Sequence, residues 1–112
     1  MAENTLEKES TTTNPIKLNY NEVKKSALVL RAINHKLRQR IMELVAEQPN
    51  ITVTEIYVQL RLEQSVASQH LAILRKAGIL RTNRNGKFIN YSVDNDRIDQ
   101  LNDIVKTILN EY

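Results

Sequence analysis

The stretch Gln64–Gly78, "QSVASQHLAILRKAG", decides how this chain is read. Ala67, Leu71 and Leu74 recur at helical spacing and make one apolar face. Gln64, Ser65, Ser68 and Gln69 make a short polar front, and Gly78 supplies a left-handed stop after the basic pair Arg75 and Lys76. The spacing predicts an amphipathic helix with a glycine stop. Whether its polar front is only a solvated surface depends on what flanks it.

Downstream runs "ILRTNRNGKFINYSV". Asn85-Gly86 between two strand-like runs predicts a hairpin closed by a two-residue type I′ turn, which needs positive φ at both central positions. Leu80, Ile89, Tyr91 and Val93 are expected to cover the core, with Arg81, Arg84 and Lys87 near the tip. Upstream, "TVTEIYVQL" carries Thr52 and Glu55 at capping-box spacing and an inward face of Val53, Ile56 and Leu60, with a short break at "RLEQ". Before it, "HKLRQRIMELVAEQ" predicts a helix capped by Asn34, facing inward with Leu37, Ile41, Leu44 and Val45, and ended by Pro49-Asn50.

Two terminal segments complete the order. Ile16, Tyr20, Val23, Ala27 and Leu30 form a narrow stripe on a helix expected over Ile16 to Ile33, with Asn19 or Asn21 as its cap. Ile98, Leu101, Val105, Ile108 and Tyr112 form a similar stripe on the last helix, widened by Ile104 and Leu109 and capped by Asp94, Asn95 or Asp96. The acids crowding that first turn suit the helix dipole. With a core already available from the central helices, the two heptad-like stripes predict a homodimer interface. The alternative is that both close the core of one protomer. Residues 1–15 are polar and read as a disordered arm; residues 16–112 read as one domain. The fold class is mainly α with a small β-hairpin, about five helices in the order α-α-α-α-β-β-α.

At 112 residues the chain has room for one modest core. Apolar residues make up 41% and aromatics only 4%, so an aliphatic helical core is expected rather than a ring-lined ligand cavity. No stretch approaches the roughly 18 apolar residues of a membrane span, and "MAENTLEKESTTTN" lacks an apolar signal core. A cytoplasmic protein is expected. The absence of cysteine removes disulfides, thiolate metal sites and thiol switches. Net charge is +3, but unevenly placed: from Arg61 to Lys87 six cations stand against the lone acid Glu63, whereas from Asp94 to Tyr112 five acids stand against Arg97 and Lys106. The first region is built to meet a polyanion.

Helix, helix, tight turn, helix and basic hairpin is the winged helix-turn-helix order. The stretches "INHKLRQRIMELV", "TVTEIYVQL", "SVASQHLAILRKAGIL" and "RNGKFINYSV" together resemble the ArsR/SmtB family of small transcriptional repressors, over roughly Leu30 to Val93. Ser68, His70, Leu71, Leu74 and Ala77-Gly78 match that family's S-x-H-L-x-x-L-x-x-A-G recognition-helix pattern, and Gly86 to Tyr91 matches its wing. The resemblance implies a homodimer paired through the first and last helices, reading operator DNA with the helix from about Gln64 and with the wing. Some positions depart from the pattern. Arg61 stands where many members have glycine, and Glu63 where a serine or threonine cap is usual. Thr52 and Thr54 occupy the places of a Cys-x-Cys metal pair, and no histidine follows His70, so neither familiar metal site is present.

Duplex recognition needs donors that can enter a groove about 12 Å wide, and flanking cations for phosphate. Gln64, Ser65, Ser68 and Gln69 offer the donors; Gln69 can pair bidentately with adenine. Arg75, Lys76, Arg81, Arg84 and Lys87 offer the cations, His70 is a structural or phosphate-contacting residue, and Arg38 and Arg40 are weaker phosphate candidates. His35 reads as a surface residue near a helix cap. No acid or nucleophile accompanies either histidine at a useful spacing, and both glycines are explained by backbone geometry, so neither enzyme activity nor a cofactor or metal is expected. The expected function is a homodimeric, sequence-specific DNA-binding repressor whose partner is double-stranded DNA, with no membrane and with an effector the residues do not identify. A protein-interaction module docking through the last helix is the alternative, followed by an RNA binder, which the scarcity of aromatics disfavours.

Overall fold

A computed structural model describes residues 15–110. The elements are α1 (Tyr20–Ile33), α2 (Lys36–Glu47), β1 (Ile51–Thr52), α3 (Val53–Leu60), α4 (Gln64–Lys76), β2 (Leu80–Asn85), β3 (Phe88–Val93) and α5 (Asn95–Leu109). This is the mainly helical winged helix-turn-helix architecture, with one strand beyond those expected from the sequence. The hairpin is part of a three-stranded antiparallel sheet in the order β1-β3-β2, because Ile51 pairs with Tyr91 and Thr52 with Asn90. Asn50 lies just before that pairing with φ 66°, a conformation asparagine tolerates. Its amide donates to the Tyr91 carbonyl at 3.0 Å, and its own carbonyl accepts from the Asn90 side chain at 2.8 Å.

The core joins α2, α3, α4, the sheet and α5. Ile41, Val45, Ile51, Ile56, Leu71, Leu74, Ile79 and Leu80 are buried together, and Leu101 of α5 closes the cluster. The inward faces expected for α2, α3 and α4 are therefore found, with Leu37, Val53 and Leu60 partly buried at their margins.

Caps explain most helix ends. The predicted capping box is present: the Thr52 hydroxyl accepts from the Glu55 amide at 3.2 Å, and the Glu55 carboxylate accepts from the Thr52 amide at 2.9 Å. The bond from the Thr52 amide first, and a second from the Thr52 hydroxyl at 3.0 Å, hold the Glu55 carboxyl below its ordinary pKa. Asn19, one of two candidates, caps α1 by accepting from the Glu22 amide, and Asp94, one of three, caps α5 by accepting from the Arg97 amide.

Four expectations are corrected. The first helix starts at Tyr20 rather than Ile16, because Lys17 is left-handed at φ 57° and the Asn19 cap follows it; Ile16 lies in the preceding turn. His35, not Asn34, caps α2: its Nδ1 accepts from the amides of Leu37 and Arg38, while the Asn34 amide closes the end of α1. Asn85 pairs with Phe88, so the two-residue loop is Gly86-Lys87, and of these only Gly86 has positive φ, at 64°. That is the φ pattern of a type II′ turn, with glycine at the first central position, rather than type I′. Ile89 pairs with Arg84 near the tip and remains 39% exposed, because the hairpin there has run past the helices that cover Leu80, Tyr91 and Val93.

The turn between α3 and α4 is Arg61-Leu62-Glu63. Arg61 is left-handed at φ 57° and ψ 48°, and the Leu62 amide reaches back to the Tyr57 carbonyl at 2.9 Å, the bonding of a Schellman-type end. An L-residue in this conformation costs about 1–2 kcal/mol, a cost that glycine, with no Cβ, does not meet. Arg61→Gly is therefore expected to stabilise the fold by about 0.5 kcal/mol after glycine's own entropic cost, raising the Tm by a few degrees. A calorimetric scan showing an equal or lower Tm contradicts this account of the turn.

Candidate nucleic-acid interface

α4 is anchored along one side by Ala67, Leu71 and Leu74, none more than 1% exposed. The phase of the helix then fixes the rest. Gln64, Ser65, Ser68 and Gln69 are all exposed, as are Arg75 and Lys76. Ser65, Gln69 and Lys76 follow one another along the side opposite the core, at separations of four and seven residues that keep a helical line. Glu63 occupies the N-cap position but its side chain makes no cap bond, so the first amides of α4 are not satisfied by it. The first turn of α4 holds no acid, but the exposed Glu63 carboxylate stands at the N-cap itself and opposes an anion there.

The helix is also held from outside by two arginines. From α5, Arg97 donates from Nη2 to the Ala77 carbonyl at 3.3 Å, bringing a cation to the negative end of α4. From α2, Arg38 approaches His70 on the flank of α4, its Nη1 lying 3.2 Å from the imidazole Nδ1. Arg38 is buried, with Nε donating to the Ala32 carbonyl at 2.6 Å and Nη2 to the Arg31 carbonyl at 3.3 Å. It is thus a structural residue rather than the phosphate contact suggested by its sequence position. Nothing in the local pattern distinguishes it from exposed Arg40; only the end of α1 packing over it does.

At the hairpin, Arg84 and Lys87 are exposed, and the Lys87 ammonium lies 5.6 Å from the centroid of the Phe88 ring, a cation–π contact. Arg81 is exposed but engaged: its Nε donates to the Asp94 carboxylate at 3.1 Å, tying β2 to the start of α5. Asp94 is held below the ordinary carboxylate range by its bonds from the Arg97 amide first and the Arg81 side chain second. His70 is half-buried, unlike the other α4 candidates. No group of three or more potential metal ligands occurs among the described residues.

The terminal stripes divide. Leu101 is 7% exposed and belongs to the core, with Ile98 packed against it. Tyr20, Val23, Ile104, Ile108 and Leu109 remain exposed, as does Ile16, and Tyr112 lies outside the described residues, as do residues 1–14 of the arm expected over 1–15. No helix among the described residues is long and apolar enough to cross a membrane.

These features define a helix-turn-helix protein with a basic wing. The model of the bacterial regulatory protein arsR family matches residues 35–82, from the α2 cap into β2. The transcriptional repressor PagR of Bacillus anthracis is 32% identical over 83 residues, covering 74% of this chain and 83% of PagR. An uncharacterized HTH-type transcriptional regulator of Methanocaldococcus jannaschii, MJ1325, is 32% identical over 77 residues, covering 69% of this chain and 86% of the relative. Among solved structures, PagR superposes with a TM-score of 0.62 at 30% identity over 78% of this chain and 99% of PagR. A homodimeric winged helix-turn-helix DNA-binding domain from Mycobacterium bovis shares the fold, with a TM-score of 0.65 at 23% identity over 82% of this chain and 84% of that one. The chain belongs to the arsR family of transcriptional regulators, which are not enzymes.

Proposed function

We propose that this protein is a cytoplasmic, homodimeric repressor that binds double-stranded DNA sequence-specifically, with α4 in the major groove and the β2-β3 hairpin against the adjoining backbone or minor groove. The observation that carries the reading is the division of α4: one side is locked into the core by Ala67, Leu71 and Leu74, while Gln64, Ser65, Ser68 and Gln69 stand exposed at its front. Such a helix can enter a groove without disturbing its own packing. Arg75, Lys76, Arg84 and Lys87 are assigned to phosphates, and Gln69 to an adenine edge. Arg81 contributes less, since Asp94 already neutralises it. The M. bovis neighbour is homodimeric and PagR is a repressor, which supports both parts of the assignment.

Pairing through α1 and α5 is supported by the apolar groups they leave uncovered, with Tyr20 60% and Ile108 57% exposed. Apolar side chains at heptad-like spacing on two helices gain most by meeting their copies. Such a dimer presents two α4 helices and predicts an operator of two related half-sites.

Selection of duplexes from a random pool by the purified protein, followed by sedimentation of the protein and a salt series on the selected DNA, tests the proposal. The expected result is a dimer, a two-fold related consensus, and affinity falling steeply with salt as counterions are released. Flat salt dependence with no consensus sinks the DNA reading. A monomer that selects a single half-site sinks the dimer. The exposed stripe of α5 with Asp99 and Asp103 also exposed beside it is the feature that favours a protein-docking role instead, and a monomer without DNA affinity is its signature.

A further inference from the structure

Three side chains meet where α1 ends, α2 begins and α4 passes. Arg38 donates into the last carbonyls of α1, those of Ala32 and Arg31, so the negative end of that helix compensates its buried charge. Its remaining arm points at His70 Nδ1, 3.2 Å away. A guanidinium can only donate, so His70 Nδ1 accepts and the ring proton sits on Nε2. His35 is in the same position chemically. Its Nδ1 accepts from the Leu37 and Arg38 amides at 3.2 and 3.4 Å, capping α2. The two rings lie 5.0 Å apart between centroids, inclined at 49°.

We infer that Arg38 is a positioning residue for α4, acting through His70, and that this contact holds only while the His70 imidazole keeps its Nδ1 lone pair as the acceptor. Protonation of His70 turns its acceptor into a donor facing a guanidinium. The charged groups acting on His70 among the described residues are His35 and Arg38, both from the α2 side; α1 contributes only carbonyls to the cluster, and no described carboxylate offsets a new charge.

The direction follows from linkage. Burial first, then His35, then Arg38 lower the His70 pKa below its ordinary 6.5, so the unfolded chain takes up protons more readily than the folded one. The contribution of the contact is complete above that ordinary value and is lost as pH falls through the lowered one. The consequence for DNA rests on α4 being the DNA-contacting helix. Acidification ordinarily strengthens phosphate binding by adding positive charge, whereas here it is expected to loosen the helix that reads the groove.

The test uses the full chain and a duplex selected as above, with operator affinity and urea midpoint measured at roughly pH 7.5 and 5.5, on either side of the histidine range. Asparagine places its amide oxygen where histidine has Nδ1, so His35→Asn with His70→Asn keeps both acceptors and leaves no imidazole in the cluster. Wild type is expected to lose about threefold or more in affinity on acidification, of the order of one ordinary hydrogen bond, with a lower midpoint. The double variant is expected to lose neither. At the higher pH, His70→Gln, whose amide reaches past the Nδ1 position, is expected to bind several-fold more weakly than His70→Asn. Identical pH profiles for wild type and double variant overturn the proposal, as does equal binding by the Asn and Gln variants. If wild type binds no duplex at either pH, the DNA reading fails instead, and the urea midpoints decide: parallel shifts with pH overturn the inference, and a shift confined to wild type supports it.

Discussion

Leu74→Ala is expected to lower the unfolding free energy by about 2–5 kcal/mol, through reduced apolar burial and a cavity that the surrounding helices fill only in part. Leu74 is fully buried on α4, within a cluster drawn from α2, α3, the sheet and α5. A domain of this size has a net stability of about 5–15 kcal/mol, so one side chain carries a large part of it. In a thermal melt the Tm should fall by roughly 10 °C or more. Val58→Ala is the control, because Val58 is an exposed valine on the neighbouring helix, 61% accessible, and should change stability by less than about 0.5 kcal/mol. Equal melting of the two variants would show that α4 is not anchored as described. Since Leu74 sits behind the polar front, the same substitution should also weaken operator binding when stability is restored by low temperature.

The second large effect concerns binding rather than stability. Arg84→Ala with Lys87→Ala removes two exposed cations from the hairpin. If each meets a phosphate, the slope of log affinity against log salt should become shallower by about 0.9 for every phosphate left without its cation, close to two in all. Affinity should fall by roughly one to two orders of magnitude, on selected and unrelated duplexes alike. Gln69→Ala should behave differently, costing about 1–3 kcal/mol on the preferred duplex and little on others, because base-edge contacts carry sequence information and phosphate contacts do not. Titrations of both variants against matched and mismatched duplexes separate the two roles. A hairpin variant whose salt slope equals that of wild type removes the wing from the interface. Stability should hardly change in either variant, since all these side chains lie outside the core.

The α4 stretch and the elements around it were legible because their signals are local. Helical periodicity at Ala67, Leu71 and Leu74, reciprocal capping by Thr52 and Glu55, and the Gly78 stop each depend on neighbours within a few residues. The same locality made the front of α4 readable, since fixing which residues face the core fixes which face away. Gly86 marked the hairpin but not its register. A shift of one residue moved the loop to Gly86-Lys87, a choice settled by pairing along the whole ladder rather than by the dipeptide.

What the chain determined by itself, then, is the order of its helices, the inward faces of α2, α3 and α4, and the outward set on α4. The tertiary structure alone decided the partners across long separations. β1 exists because Ile51 meets Tyr91 forty positions on, and a two-residue strand carries no periodicity of its own. Arg38 and Arg40 look alike in sequence, yet one is buried against the end of α1 and His70 while the other faces solvent. Arg81 is drawn to Asp94, and the α5 stripe is split between Leu101 in the core and Ile108 outside it. In each case the outcome depends on which element packs over the side chain, because burial and long-range hydrogen bonds are properties of the assembled fold.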